Sequence, residues 1–223
     1  MIFIVIPLYS PYYDREFRNM RQPIMSLRGT FKTIPSKSLV FLFILILLVG
    51  VYVGDLFIQR QKEIVLQLFV ANDEQDVFKA STLEKELGRL FNIQKNQRVI
   101  VDDSLYVVFG SADRYIESSL SKIYAYMAAK ELDILIAPRH VVEHYVAGLP
   151  MTDLSTLVET NPSLEIITPY LEMAEDSNGQ RKTYLLNLEE SRYANSDASM
   201  LVIPESAPNK EAIIGFLEYL FKK

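Results

Sequence analysis

The sequence predicts an α/β fold in two parts: a single N-terminal transmembrane helix followed by one extracytoplasmic α/β domain with a mixed sheet. Three observations lead there. Leu39–Gly54, LVFLFILILLVGVYVG, is an uncharged apolar run fenced by Lys37 and Asp55. Beyond it, apolar runs of strand length alternate with segments whose apolar residues recur at helical spacing. Late in the chain, two extended-looking runs flank the turn-forming EDSNGQ and add a hairpin to the alternating order.

At about 1.5 Å of rise per residue, a helix over residues 38–58 covers roughly 30 Å, the thickness of a bilayer's hydrocarbon core. A run of this length with no polar face is hard to bury in a small soluble domain. It exceeds the core of a cleaved signal peptide, no small-x-small site follows it, and the chain has no cysteine for lipid attachment, so it reads as a retained anchor. Residues 1–37 hold six basic side chains, Arg15, Arg18, Arg21, Arg28, Lys32 and Lys37, against Asp14 and Glu16, a net +4. With the whole chain at −5, the remainder carries −9. Basic flanks stay on the cytoplasmic side, so 1–37 is expected to be a cytoplasmic tail, 38–58 the span and 59–223 an extracytoplasmic domain at the cell membrane. The tail's opening MIFIVIPL is too short to span and suits an interfacial anchor or an unstructured end. Its arginines suit anionic lipid.

In the outer region, Ile64–Ala71 reads as a buried strand, and NDEQD as a turn. A helix follows with Leu83, Leu87, Leu90 and Phe91 on one face. Arg98–Val108 returns to strand character, interrupted by Asp102 and Asp103. Ser111 is the expected N-cap of a helix carrying Ile116, Leu120, Ile123 and Met127. Residues 132–137, LDILIA, form the next strand, stopped by Pro138. A short helix from about Arg139 to Val146 is expected to end at Gly148, a residue free to take positive φ. EIITPYLEM and KTYLLNL read as the two arms of the hairpin, and Met200–Ile203 as a last strand. Asn209 is expected to cap a terminal helix with Ala212, Ile213, Phe216, Leu217 and Leu220 in one stripe.

Two separated blocks, KIYAYMAAKELDILIAPRHVVEHYVAGLPMTDLSTLVE and SMLVIPESAPNKEAIIGFLEYLF, resemble extracellular solute-binding proteins of the type II periplasmic-binding class. The resemblance is stronger to the small membrane-anchored relatives in Gram-positive bacteria. Asp133–Ala137 stand in the place of that pattern's D-[VI]-L-I-A strand, Asp153-Leu154 in its D-L segment, and Pro208–Phe221 in its closing helix. The resemblance implies one lobe of such a protein attached to the outer membrane face, with solute binding in the parent class. Complete members close two lobes over a ligand, whereas residues 59–223 have the length of one ordinary domain.

His140-Val141-Val142-Glu143-His144 satisfies the H-x-x-E-H pattern of inverted zinc peptidases. Imidazoles at i and i+4 on one helical face can share a zinc ion, with Glu143 as general base. A third protein ligand is required, and Glu189, Glu190 and Glu211 are candidates by composition alone, so a solvated helix face with no metal is the expectation. No G-x-S-x-G, phosphate-cradling glycine loop or cysteine nucleophile is present. The acidic outer region argues against nucleic acid. Asn72, Asp73, Ser111 and Arg139 fall where strands or loops hand over to helices, the crevice in which open α/β sheets bind ligands, although capping and turn formation account for the same residue types. Gly50 and Gly54 give G-x-x-x-G within the span, a spacing that lets helix backbones approach.

These features predict a non-enzymatic single-pass membrane protein, without cofactor, that presents a reduced solute-binding-like domain as a binding or assembly subunit. Its partners are the lipid bilayer and a second membrane protein. The alternatives are a membrane-anchored receptor for a small solute and a zinc hydrolase using His140, Glu143 and His144.

Overall fold

The computed structural model describes residues 36–60, 62–194 and 196–222, with the side chains of 36–38 and 56–60 left out. The chain divides into two units, Met1–Gln59 and Arg60–Lys223. MIFIVIPL and the basic tail through residue 35 lie outside the described residues.

In the first unit, α1 (Ser36–Arg60) is a helix of 25 residues. Every large apolar side chain from Leu39 to Val53 on it is exposed, and nothing approaches within 4 Å of the positions that side chains at Gly50 and Gly54 would take. The side chains described stop short of both ends of the 38–58 run, and among the described residues no helix is itself long and apolar enough to cross a membrane.

The second unit is built on a six-stranded mixed sheet of β1 (Glu63–Ala71), β2 (Gln97–Leu105), β3 (Ile134–Ala137), β4 (Leu171–Glu175), β5 (Arg181–Asn187) and β6 (Met200–Val202). The strand order is β2-β1-β3-β6-β5-β4. The first three strands are parallel, and β6, β5 and β4 continue the sheet through antiparallel pairings. Helices cover both faces: α2 (Ala80–Leu90), α3 (Arg114–Ala128), α4 (Arg139–Gly148), α5 (Leu154–Thr160) and α6 (Lys210–Phe221). A three-residue-per-turn (3-10) segment spans Pro162–Tyr170.

Alternation along the strands sorts the core into two layers. Leu66, Leu68 and Val70 of β1, with Ile134 and Ile136 of β3, pack toward α2 and α6, where Leu83, Leu87, Phe216 and Leu220 meet them. Phe69, Ala71, Leu135 and Ala137 face the other way, toward Ile123 of α3 and Val141, Val142 and Tyr145 of α4. Continuous apolar runs such as ILIA are what strands covered on both faces require.

A buried carboxylate ties the sheet to its last helix. Asp133, fully buried just ahead of β3, accepts hydrogen bonds at Oδ2 from the Gln67 backbone N–H (2.7 Å) and the Asn209 side-chain amide (2.9 Å), and at Oδ1 from the Asn209 backbone N–H (3.0 Å). Asn209 therefore holds the N-cap position of α6 without capping it. Burial pushes the Asp133 carboxyl above its ordinary 3.8, against the pull of these donors. A group raised in the folded state contributes stability that is fully present below pH 3.8 and is lost as pH rises through its folded value.

Several boundaries differ from the sequence reading for identifiable reasons. The N-cap of α3 is Asp113, whose Oδ1 accepts from Tyr115 and Ile116, and Ser111 Oγ accepts from the Asp113 N–H. Gly148 is the last residue of α4 rather than a positive-φ cap, and the chain leaves the helix through extended Leu149 and Pro150. EIITPY falls inside the 3-10 segment Pro162–Tyr170, with Pro169 in it, so the first hairpin arm begins only at Leu171. Leu90 points outward at 44% exposure, while Leu83 and Leu87 are buried. β2 runs on through Asp102 and Asp103, but its pairing with β1 slips there, Phe69 facing Asp102 and Ala71 facing Leu105; Asp102 bonds Lys122 and Ser104, and Asp103 Oδ2 accepts the Ala80 N–H at 2.7 Å and so holds the start of α2.

Helix α6 crosses Phe91 closely, and a Cβ at Gly215 would lie 3.0 Å from Phe91 Cε1. Gly215→Val is expected to destabilise the domain by about 1–3 kcal/mol through overpacking, and the loss should shrink in a Phe91→Ala background. Denaturant melts of the four variants measure this, and an equal penalty in both backgrounds would remove the contact as its cause.

Candidate functional site

The pairing registers define two ends of the sheet. Ala71, Leu105 and Ala137 end the parallel strands at one edge, where β6 begins at Met200 and β5 closes at Asn187. The β4–β5 turn and the exit of β6 lie at the other. Parallel strands 2-1-3 diverge to opposite sides of β1, which makes the first edge the usual ligand crevice of an open sheet.

The residues expected at that crevice are all engaged locally. Asn72, at φ 59°, accepts the Val107 N–H at Oδ1 (2.7 Å) and donates Nδ2 to the Val107 carbonyl (2.9 Å), so its side chain continues the β1–β2 ladder where the backbone turns away. Asp73 accepts the Phe78 N–H (2.6 Å) and the Ser196 hydroxyl (2.8 Å). Ser111 serves Asp113, as described. Arg139 pairs with Glu143 and Glu172, and Glu172 also accepts from Asn187 Nδ2, which links α4 to the β4–β5 hairpin. Burial raises the Glu172 carboxyl, but its bonds to Arg139 and Asn187 hold it below the usual range. Among the described residues, no two of the four candidates share a hydrogen-bond partner.

His140, Glu143 and His144 stand exposed on α4, whose opposite face buries Val141, Val142, Tyr145 and Val146. The His144 ring packs on Phe109 at 4.0 Å between centroids, with Nε2 3.3 Å from the Tyr124 hydroxyl. His140 meets Phe109 only edge-on at 6.5 Å. Among the described residues no three His, Cys, Asp or Glu side chains are grouped to hold a metal ion. Glu143 is turned toward Arg139.

The other end of the sheet holds an open cleft of about 770 Å³ that sequence reading did not find. Its back wall is a strap in which Met151 bridges Pro204, with Thr152 N–H donating to Ile203 and Glu205 N–H to Pro150. Helix α5, the β4–β5 turn and the first turns of α6 complete it. Asp153 caps α5 by accepting from Ser155. In the turn, Asp176 Oδ1 accepts from Asn178 and Gln180, Oδ2 accepts the Tyr184 hydroxyl (3.0 Å), and Gly179 takes φ 74°. These bonds hold the Asp176 carboxyl below its ordinary 3.8, so its stabilising contribution is present above pH 3.8 and is lost as pH falls through the lowered value. The lining comes from three stretches, 149–161, 176–184 and 203–214, and its only local signal in sequence is a density of Thr, Asn, Ser and Gln around 152–161 and 177–180.

No family model matches the chain, and neither a curated protein nor a solved structure matches it.

The two histidines should be unequal. His140→Ala is expected to change stability by no more than about 0.5 kcal/mol, as at an ordinary surface site. His144→Ala should cost about 0.5–1.5 kcal/mol by removing the ring contact with Phe109. Equal small effects would dismiss that contact as a stabiliser, and zinc-dependent stabilisation lost in both variants would restore the metal reading.

Proposed function

We propose that the chain is a non-enzymatic, single-pass membrane protein whose external domain is a reduced, one-lobe relative of the solute-binding class, working as a binding or assembly subunit of a membrane complex. The observation that carries this reading is that Arg60–Lys223 form one compact unit on one six-stranded sheet. A ligand trap that closes between lobes needs a second unit to bury most of the ligand's surface. The crevice residues Asn72, Asp73 and Arg139 are occupied by scaffold bonds, which supports interaction through the domain's surface over enclosure of a solute at that edge. The Asp133–Asn209 tie adds support for the resemblance, because it joins the two separated blocks that carry it.

The anchor rests on the sequence run 38–58, which α1 carries as helix. A helix apolar on all sides is stable in lipid or in a large core. Gly50 and Gly54 offer the close approach by which such a helix packs on a partner span. The net +4 of residues 1–37 supports a cytoplasmic N-terminus with the domain outside.

Protease added to intact protoplasts is expected to digest the domain and spare an N-terminal tag, and mild detergent extraction should recover the chain with a stoichiometric membrane protein. Replacing Gly50 and Gly54 together by Ile should weaken that complex by about 1–2 kcal/mol. A cut tag with an intact domain would reverse the orientation, and a chain that purifies alone and retains full activity as a released domain would end the subunit reading.

A further inference from the structure

The cleft at the turn end of the sheet differs from the crevice in which of its polar groups are already engaged. Asp153, Asp176, Thr160 and Asn161 are bonded within their own elements and hold the walls in shape. Lys182, Lys210 and Glu205, at the rim, take part in no ion pair among the described residues. Asn178 and Gln180 are bonded through their backbone N–H groups, which leaves two exposed primary amides along the turn. Between these, Met151, Ile203 and Ile213 supply a buried apolar floor.

We propose that this cleft binds a short extended stretch of polypeptide, with one apolar side chain on the floor and charges of both signs paired at the rim. The inference rests on reading the domain as a protein-binding module and names the part of it that does the binding. A cleft of about 770 Å³ is of ligand-site size, within the usual ~300–1,000 Å³. A simple ion would leave the apolar floor unused, and a ligand of one charge would leave Glu205 or the lysines facing a like charge. A primary amide presents one donor group and one acceptor, the same pair that each peptide unit presents, so Asn178 and Gln180 can follow a backbone as it passes the turn. The walls are preorganised by their internal bonds, which lowers the ordering cost of binding.

The test uses the full chain in lipid nanodiscs and a pool of synthetic octapeptides, each with a central Leu flanked by Lys and Asp. Saturable binding by native mass spectrometry and by fluorescence titration is expected. Exchanging the central Leu for Ser should weaken it about tenfold, since an apolar anchor is lost. Thr156→Trp, at an exposed position on the α5 wall, should fill the mouth and weaken binding by at least as much while the melting temperature stays unchanged. Lys182→Glu should shift preference toward peptides with more basic flanks. No saturation at millimolar peptide, or binding indifferent to both the Leu exchange and Thr156→Trp, would overturn the inference. Detergent co-purification of the membrane partner separates the two readings. A retained partner without peptide binding sinks the cleft assignment and leaves the subunit reading standing, whereas peptide binding without a membrane partner does the reverse.

Discussion

One buried carboxylate holds the second unit, Arg60–Lys223, to its arrangement. Asp133 sits where β3 begins, bonds the neighbouring strand β1 through the Gln67 N–H and receives both the backbone and side-chain N–H groups of Asn209. A buried charge is costly unless its oxygens are satisfied, and here three donors from two distant parts of the chain satisfy it. The tie fixes where α6 starts, and with it the Phe216 and Leu220 stripe that closes one layer of the core. It also fixes one wall of the cleft, because Lys210, Ile213 and Ile214 follow Asn209 directly.

From that constraint the two ends of the sheet take different characters. At the carboxyl edge, polar side chains are used up in building: Asn72 extends a ladder, Asp73 holds a turn, and Arg139 bridges a helix to the hairpin. At the turn edge, a preformed hollow keeps amides and charged groups at its rim. Loops carry function when a rigid scaffold positions them, and the strap from Leu149 to Asp153, the β4–β5 turn and the head of α6 meet that description. The proposed function draws on this contrast together with the uncharged apolar run Leu39–Gly54.

Much of the fold was legible because buried strands and amphipathic helices write their periods directly. ILIA, IVLQLFVA and the α6 stripe needed only local pattern, and the hairpin turn was announced by Ser-Asn-Gly. The rest depended on partners that no window of sequence contains. Ser111 lost the cap of α3 to Asp113 because two residues in a row of candidates compete, and backbone geometry chooses between them. EIITPY carried strand-like composition, yet it lies in the 3-10 segment Pro162–Tyr170, whose Leu164 and Ile167 are buried in the core. Asp133 and Asn209 were both visible as motif residues, but their contact spans 76 positions. The cleft was hidden for the same reason, being assembled from three separated stretches, 149–161, 176–184 and 203–214.

The most direct test of this account is a double-mutant cycle on the tie itself, with unfolding free energies measured for the wild type, Asp133→Ala, Asn209→Ala and the double variant. Asp133→Ala leaves the buried Gln67 N–H and the two half-buried Asn209 donors without an acceptor and should cost about 3–5 kcal/mol. Asn209→Ala keeps the backbone donor and should cost about 1–2 kcal/mol. Because the two side chains share one hydrogen bond, the account predicts a double variant no more than about 0.5 kcal/mol below Asp133→Ala alone, a coupling of 0.5 kcal/mol or more. Strictly additive losses would contradict it and would place the organising contact of the domain elsewhere.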